Sequence, residues 1–123
     1  MNKRGLIGLG LVSVIAIALV AALAISKVSS TTNREYRIVI PEGTTAKIYA
    51  GEDPGIVPPE IHLTLGQQDI LVIQNNDVGG HDVAGFWIGA GETLRQEFKS
   101  EAVYQGECTI HPSSQIQIII SKP

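Results

Sequence analysis

The feature that most constrains this chain is an uninterrupted apolar run near its N-terminus. Between Leu6 and Ile25 there is no charged side chain and a single hydroxyl, that of Ser13. A helix needs about 20 apolar residues to cross a bilayer, whereas the apolar part of an export signal usually has only about 7–15. Because no polar face appears along the run, a buried core helix is a poor interpretation. The sequence therefore predicts one N-terminal transmembrane helix within residues 1–27.

The residues that flank this run predict on which side of the membrane the rest of the chain lies. Lys3 and Arg4 precede the run, and this basic pair favours a cytoplasmic N-terminus even though Lys27 follows on the far side. Ala22-Leu23-Ala24 resembles a cleavage site, so a secreted form is the alternative to an uncleaved anchor. In both cases we expect the domain on the extracytoplasmic side, at the cell membrane if the leader is kept.

The remaining chain suits one small domain on a short tether. Residues 28–34 (VSSTTNR) are polar and predict the tether, and residues 35–123 predict the domain. Of the nine basic residues, Lys3, Arg4 and Lys27 precede residue 28, which leaves six against all twelve acidic ones and a formal charge of −6. That charge argues against a nucleic-acid partner and favours a cationic or neutral one.

The hydrophobic pattern of the domain predicts an all-β fold. Apolar residues alternate with polar ones in 36–40 and 61–65, and 70–74 (ILVIQ) is typical of a central strand. We also expect a strand over 44–50 (TTAKIYA), because no segment shows a helical stripe. Pro and Gly turns separate these from further predicted strands at 86–88, 93–98, 102–106 and 116–120. Many short strands with regular turns indicate a sandwich or a barrel.

Three residues between the predicted strands are candidate metal ligands: His81, Cys108 and His111. His81 lies in a turn-rich segment, 75–83, and the other two form a Cys-x-x-His pair. A lone cysteine in an exported domain cannot form an internal disulfide and calls for burial or a metal. Two imidazoles and one thiolate form the trigonal site typical of electron-transfer copper. Taken singly, a loop histidine is usually a surface residue and a lone cysteine a small hydrophobe, so the prediction rests on the combination.

These segments resemble the cupredoxin family, to which plastocyanin and azurin belong. Residues 104–112 (YQGECTIHP) are similar to its C-terminal copper loop in the short, amicyanin-like form. Residues 75–81 (NNDVGGH) resemble its Asn-rich loop, and 89–93 (GAGET) its glycine turn. The resemblance implies a Greek-key β-sandwich and one type 1 copper ion, with His81, Cys108 and His111 as equatorial ligands. It also implies electron transfer to redox partner proteins through the exposed edge of His111.

Several positions depart from the family's pattern. The usual axial methionine is absent, since the only methionine is the first residue. Gln115 is a possible axial ligand, because a Gln oxygen serves this role in some blue-copper sites, and Ser114 or the Gly80 carbonyl are alternatives. Asp82 stands where the family usually has a bracing Asn, and Gly106 replaces a common aromatic residue.

Together, the residues and the resemblance predict a membrane-tethered blue-copper protein that carries single electrons and is not an enzyme. The alternative is a non-redox copper-binding module for storage, delivery or sensing. A cysteine nucleophile lacks a visible substrate cleft, and structural zinc normally needs a fourth ligand. We further expect His62 to face solvent, and Trp87 to pack in the core rather than in an apolar docking patch.

Overall fold

Two three-stranded sheets form the framework of residues 34–123, which are the residues that the computed structural model describes. The predicted apolar helix and residues 28–33 of the predicted tether lie outside this range. Within residues 34–123, no helix has the length and hydrophobicity needed to cross a membrane. The elements are β1 (Glu35–Ile40), α1 (Thr44–Tyr49), β2 (Glu60–Thr64), β3 (Ile70–Asn75), β4 (His81–Val83), β5 (Phe86–Ile88), β6 (Thr93–Glu97), β7 (Ala102–Glu107) and β8 (Gln115–Ser121).

The first three strands alternate between the two sheets along the chain. One sheet has the order β1-β3-β6, with β1 parallel and β6 antiparallel to β3. The other has the order β2-β8-β7, with β2 parallel and β7 antiparallel to β8. Strands β4 and β5 form a separate antiparallel hairpin. Strand β3 therefore runs through the middle of its sheet and leads directly towards the segment that carries His81.

The two sheets share one apolar core, as the alternation along the strands predicts. Every second residue of β8 is buried, and β3 is buried along most of its length. Removing apolar surface from water contributes about 25 cal/mol per Å², which makes this core the main source of stability. The largest fully buried side chains come from both sheets and include Ile40, Leu71, Ile73, Ile61, Leu63, Ile116 and Ile118. The prediction of a mainly β domain is confirmed.

The segment Thr44–Tyr49 is a helix, so the predicted strand over 44–50 is wrong. The cause is a cap that comes from far along the chain. Gly43 adopts a left-handed conformation (φ 90°) and Asp77 accepts hydrogen bonds from the backbone N–H groups of Gly43 (3.0 Å) and Thr45 (2.8 Å). The free N–H groups of a first helical turn need such acceptors. A carboxylate placed by the tertiary fold thus outweighs the local preference of β-branched residues for a strand.

Arg34, which the sequence placed at the end of the tether, is joined to the domain. Its guanidinium donates to both carboxylate oxygens of Asp69, at 2.9 Å and 2.7 Å, and its carbonyl accepts the Asp69 N–H at 3.1 Å. The bond from Arg34 holds the pKa of the buried Asp69 carboxyl below its usual range, against the opposing effect of burial. Two parallel bonds to a carboxylate fix this start of β1.

Candidate metal centre

His81 is the first residue of strand β4 rather than part of a loop, and its side chain is almost fully buried (3% exposed). It pairs with Ile88 of β5 across the hairpin. Its ring Nε2 lies 2.8 Å from Oδ2 of Asp77, four residues earlier. A buried imidazole with a carboxylate on one nitrogen has a defined orientation, which is the first requirement for a ligand.

Asp77 stays ionised although it is buried. Burial raises its pKa, but hydrogen bonds from Thr45 and His81 outweigh that effect and bring the pKa far below the usual range. The Thr45 hydroxyl donates to Oδ2 at 2.5 Å, in addition to the two backbone N–H donors described above. An ionised carboxylate only accepts, so Nε2 of His81 carries the proton. In the tautomer that donates to Asp77, the lone pair therefore lies on Nδ1.

Asn75, at the end of β3, holds the segment that leads to His81. Its buried amide donates to the carbonyls of Gly79 (2.8 Å), Ile88 (3.1 Å) and Gly89 (3.1 Å), and its Oδ1 accepts the Asp77 N–H (3.0 Å). A fully satisfied buried amide of this kind specifies one loop conformation. The sequence analysis identified neither Asn75 nor Asp77 as functional residues, although Asp-x-x-x-His in a turn was a visible signal.

Cys108 follows β7 and is fully buried in the core. Burial raises the pKa of its thiol, while backbone hydrogen bonds from Ile110, Ala84 and His111 act in the opposite direction. Those backbone groups are placed to stabilise a negative charge on the sulfur. A buried thiol is inert when protonated, and these donors suit a thiolate that a metal would stabilise.

Thr109 joins the cysteine loop to the strand of His81. Its hydroxyl accepts the Asp82 N–H at 3.1 Å and lies 3.4 Å from Nδ1 of His81. Its own N–H donates to the Asp82 carbonyl at 3.0 Å. The backbone of Asp82 therefore joins strand β4 to the cysteine loop, and its carboxylate takes no part in these bonds.

Gly106 has no side chain because the β4–β5 turn lies against it. A Cβ at Gly106 would stand 2.5 Å from the carbonyl carbon of Ala84 and 2.7 Å from the nitrogen of Gly85. Gly85 also donates its N–H to the carbonyl of Glu107 at 3.0 Å. Close backbone packing beside Cys108 thus leaves no room for a side chain at position 106.

His111 is half-buried and its ring contacts its own loop. Nδ1 lies 2.7 Å from the Ser113 hydroxyl and accepts the Ser113 N–H at 3.1 Å. The loop is closed by bonds from the Cys108 N–H to the Ser114 carbonyl and from the Ser114 N–H to the His111 carbonyl, both 2.9 Å. Ser114 takes a positive φ of 61° to complete this turn. To bind a metal through Nδ1, His111 would have to give up its two contacts with Ser113.

The three predicted ligands lie in segments that contact one another, but they do not form a closed cluster. Thr109 connects the strand of His81 with the loop of Cys108 and His111. Among residues 34–123, no three His, Cys, Asp or Glu side chains stand close enough together to hold a metal ion. The donor types fit copper, because the sulfur of Cys108 and the imidazole of His81 are both buried and both adjoin Thr109.

The backbone of Gln115 bonds to Ser113, the hydrogen-bond partner of His111, but the Gln115 side chain lies at the surface. Gln115 pairs with Glu107, is exposed, and lies on the face of β8 opposite the buried Ile116. It lines a groove with Pro59 that contains none of the three predicted ligands. Of the other axial candidates, Ser114 lines the same pocket as His111.

Two surface predictions have different outcomes. His62 is exposed and contacts Glu60 at 3.0 Å, as predicted. Trp87 is 61% exposed, so its expected place in the core is wrong. Its ring instead covers Gly80, where an added Cβ would lie 2.2 Å from Cζ2.

Several solved structures are similar to this chain, and they are cupredoxins, the family that the sequence motifs resemble. A purple cupredoxin from Nitrosopumilus maritimus has 23% identity, with 69% of this chain and 98% of that chain covered (TM-score 0.41). A reduced Cu(I) form of an amicyanin mutant has 17% identity over 70% and 81% of the two chains (TM-score 0.42). Another Cu(I) amicyanin mutant has 15% identity over 76% and 87% (TM-score 0.44). No protein-family model matches the chain, and no curated protein matches it.

Proposed function

We propose that this chain is a membrane-tethered, extracytoplasmic blue-copper protein that carries single electrons. Copper would be held by His81, Cys108 and His111. The observation that carries the proposal is the state of His81: its buried Nε2 donates to Asp77, which leaves the Nδ1 lone pair beside Thr109 and the cysteine loop. A histidine that binds a metal almost always donates its other ring N–H to an acceptor of this kind.

When bound, copper supplies a one-electron Cu(II)/Cu(I) couple. The chain's contribution is to present a thiolate and imidazoles with little movement between the two states. Asp77 fixes the His81 ring, and the Asp82–Thr109 backbone pair joins its strand to the cysteine loop. Burial of Cys108 keeps water away from the sulfur. These are the properties of a carrier, and we assign no bond-making reaction to the domain.

A non-redox copper-binding module is the second candidate, and the loop of His111 favours it. Nδ1 of His111 is already bonded to Ser113, so metal binding through that atom would require the ring to turn. A ligand that moves suits capture and release of copper better than rapid electron exchange. The two candidates differ in whether the bound ion changes oxidation state quickly.

Cu(II) titration of the full chain in a mild non-ionic detergent tests the proposal. We expect one copper per chain, an intense visible thiolate-to-copper absorption and a reversible couple in voltammetry. Cys108→Ser should abolish the absorption, whereas Ser121→Ala, at the exposed end of β8, should leave it unchanged. Colourless protein with stoichiometric copper would contradict the electron carrier, and tight Cu(I) binding without a reversible couple would favour the storage or delivery module.

The membrane attachment is tested by fractionation of cells that express the chain with a C-terminal tag. An uncleaved helix within residues 1–27 should keep the chain in the membrane fraction after alkaline extraction, with the tag accessible to protease only from the extracytoplasmic side. A shorter, soluble product outside the cytoplasm would support cleavage after Ala24 and a secreted form.

A further inference from the structure

Three large apolar side chains lie exposed around the backbone that precedes His81. Tyr49 is 88% exposed, Val78 78% and Trp87 61%. Tyr49 lines a surface pocket of about 300 Å³ together with Gly79, Gly80 and His81. Val78 adjoins Gly79 in the chain, and the Trp87 ring covers Gly80. We call Tyr49, Val78 and Trp87 the apolar patch.

Only a few covalent bonds and side-chain contacts separate the patch from the candidate metal centre. Gly80, beneath the Trp87 ring, is bonded directly to His81. Thr109 and His81 also line the Tyr49 pocket. A partner that covered the patch would therefore stand over the ligand His81, with little intervening protein.

The surroundings of His111 are different. Its pocket, of about 350 Å³, is lined by the acidic side chains of Glu52 and Asp53 together with smaller apolar residues such as Pro112. No large exposed apolar side chain lies among the residues that line this pocket. Apolar cores with polar rims are what protein docking sites need, so the surface near His81 is better suited than the surface near His111.

The charge around the patch is negative. Asp82 is directly opposite Trp87 in the hairpin, and Glu52 and Asp53 line the pocket of His111, which shares Ile48 and Thr109 with the Tyr49 pocket. Within residues 34–123, none of these three carboxylates has an arginine, lysine or histidine within 4.0 Å. Lys47 on α1 is the one cation that the helix itself supplies. Among the other basic residues of the described range 34–123, Arg34, Arg37, Arg95 and Lys122 are already paired.

We propose that the apolar patch docks a basic redox protein, and that electrons pass from His81 by way of Gly80 and Trp87 to that protein. This inference rests on the proposed electron-carrier function. The apolar side chains supply the dry centre of the contact, and the carboxylates attract a positively charged partner and speed its encounter. In the exchange, Cu(I) becomes Cu(II), the partner's ferric haem becomes ferrous, and no bond forms or breaks.

The experiment compares two lysine variants of exposed valines. The full chain is loaded with copper, reduced, and mixed in stopped flow with ferric mitochondrial cytochrome c, used as a basic redox probe. Val78→Lys adds a like charge within the patch, and Val103→Lys adds the same charge on edge strand β7, where Val103 is 63% exposed. We expect Val78→Lys to lower the second-order rate constant roughly tenfold and Val103→Lys by less than about twofold.

Uncharged benzoquinone serves as a small oxidant that needs no docking surface. Both variants should react with it as the unmodified chain does, and the visible absorption should stay the same. Equal rates for the two variants with cytochrome c, or the absence of any reaction with it, would overturn the docking surface but leave the carrier function in place. Failure of the unmodified chain to react with either oxidant would overturn both.

A second copy of this chain is the other possible occupant of the patch. Sedimentation of the detergent-solubilised chain separates the two cases. A dimer in the unmodified chain that becomes a monomer in Val78→Lys would assign the patch to self-association and overturn the inference. A monomer in both, together with the rate difference above, supports it.

Discussion

Nε2 of His81 and Oδ2 of Asp77 lie 2.8 Å apart, and both side chains are almost fully buried. The same carboxylate receives the first N–H groups of α1 through Gly43 and Thr45. One buried charge thus orients a candidate ligand and caps the helix beside it. Any change at Asp77 should therefore affect stability and metal binding together.

Asp77→Asn should lower the free energy of unfolding by about 2–4 kcal/mol, because an amide brings its own donors to a site that holds four others. It should also weaken copper binding, since Nε2 of His81 loses its ionised acceptor. Denaturant unfolding and copper titration measure the two effects. Asp53→Asn is the matched control, because Asp53 accepts only the N–H of Gly55 at an exposed position. Equal losses in the two variants would contradict the role given to Asp77.

Acid should destabilise the domain through its two buried carboxylates. The pKa values of Asp77 and Asp69 are both lowered in the folded state. A carboxyl whose pKa is lower in the folded than in the unfolded state stabilises the protein at pH values above its unfolded pKa, about 3.8 here. This contribution disappears as the pH falls through the folded pKa. We therefore expect unfolding free energy to be nearly constant from neutral pH to about 5 and to fall below about 4.

Arg34→Met separates the contribution of Asp69 to this pH dependence. Without the guanidinium, the Asp69 carboxylate is less stabilised at neutral pH. Once this carboxyl is protonated, the stability of the variant differs little from that of the unmodified chain. The loss of stability should therefore be greatest near pH 7 and should shrink in acid. Arg37→Met, which removes a surface pair with Glu35, should show a small effect at every pH. A loss from Arg34→Met that is independent of pH would refute this account.

Thr109→Val keeps the volume of the side chain but removes the hydroxyl between Asp82 and His81. The Asp82 N–H then lacks its acceptor, so we expect a loss of about 1 kcal/mol in stability. Copper affinity should fall about 10–100-fold, the usual effect of losing a group that supports a ligand. Competition titration with a copper chelator measures it, with Thr93→Val on exposed β6 as the control. Unchanged affinity would show that the hydroxyl does not support the site.

Gln115→Ala should leave the visible absorption and the reduction potential of the copper-loaded chain unchanged, because Gln115 faces away from Cys108. Gln115→Met should also have no effect. Voltammetry and optical spectra of both variants provide the measurement. A shift in potential with either variant would mean that the loop rearranges on metal binding and brings Gln115 to the axial position.

Most strands were predictable because their alternation is a local property of the sequence. The pattern in 116–120 requires only that one face be buried, and β8 follows it. The α1 helix was not predictable in this way. Its residues favour a strand, and the capping carboxylate of Asp77 is more than thirty positions away. Only the folded chain brings that acceptor to the helix.

The candidate ligands were predictable as residue types, but their environments were not. The sequence identifies His81, Cys108 and His111, yet the proton on His81 and the turned ring of His111 depend on Asp77 and Ser113. The exposure of Trp87 was missed because β5 pairs only with β4 and the opposite side of the ring meets Gly80. Such contacts depend on which strands are neighbours, which a single-strand pattern does not contain.

The bidentate pair between Arg34 and Asp69 fixes the start of β1 at a distance from the candidate metal centre. Because β1 and β3 are parallel, Arg34 and Asp69 lie at one end of their sheet, and Asn75, which precedes the His81 segment, lies at the other. A six-residue strand spans about 17 Å, so the ion pair that anchors the first strand and the segment that leads to His81 are separated by the full length of the sheet.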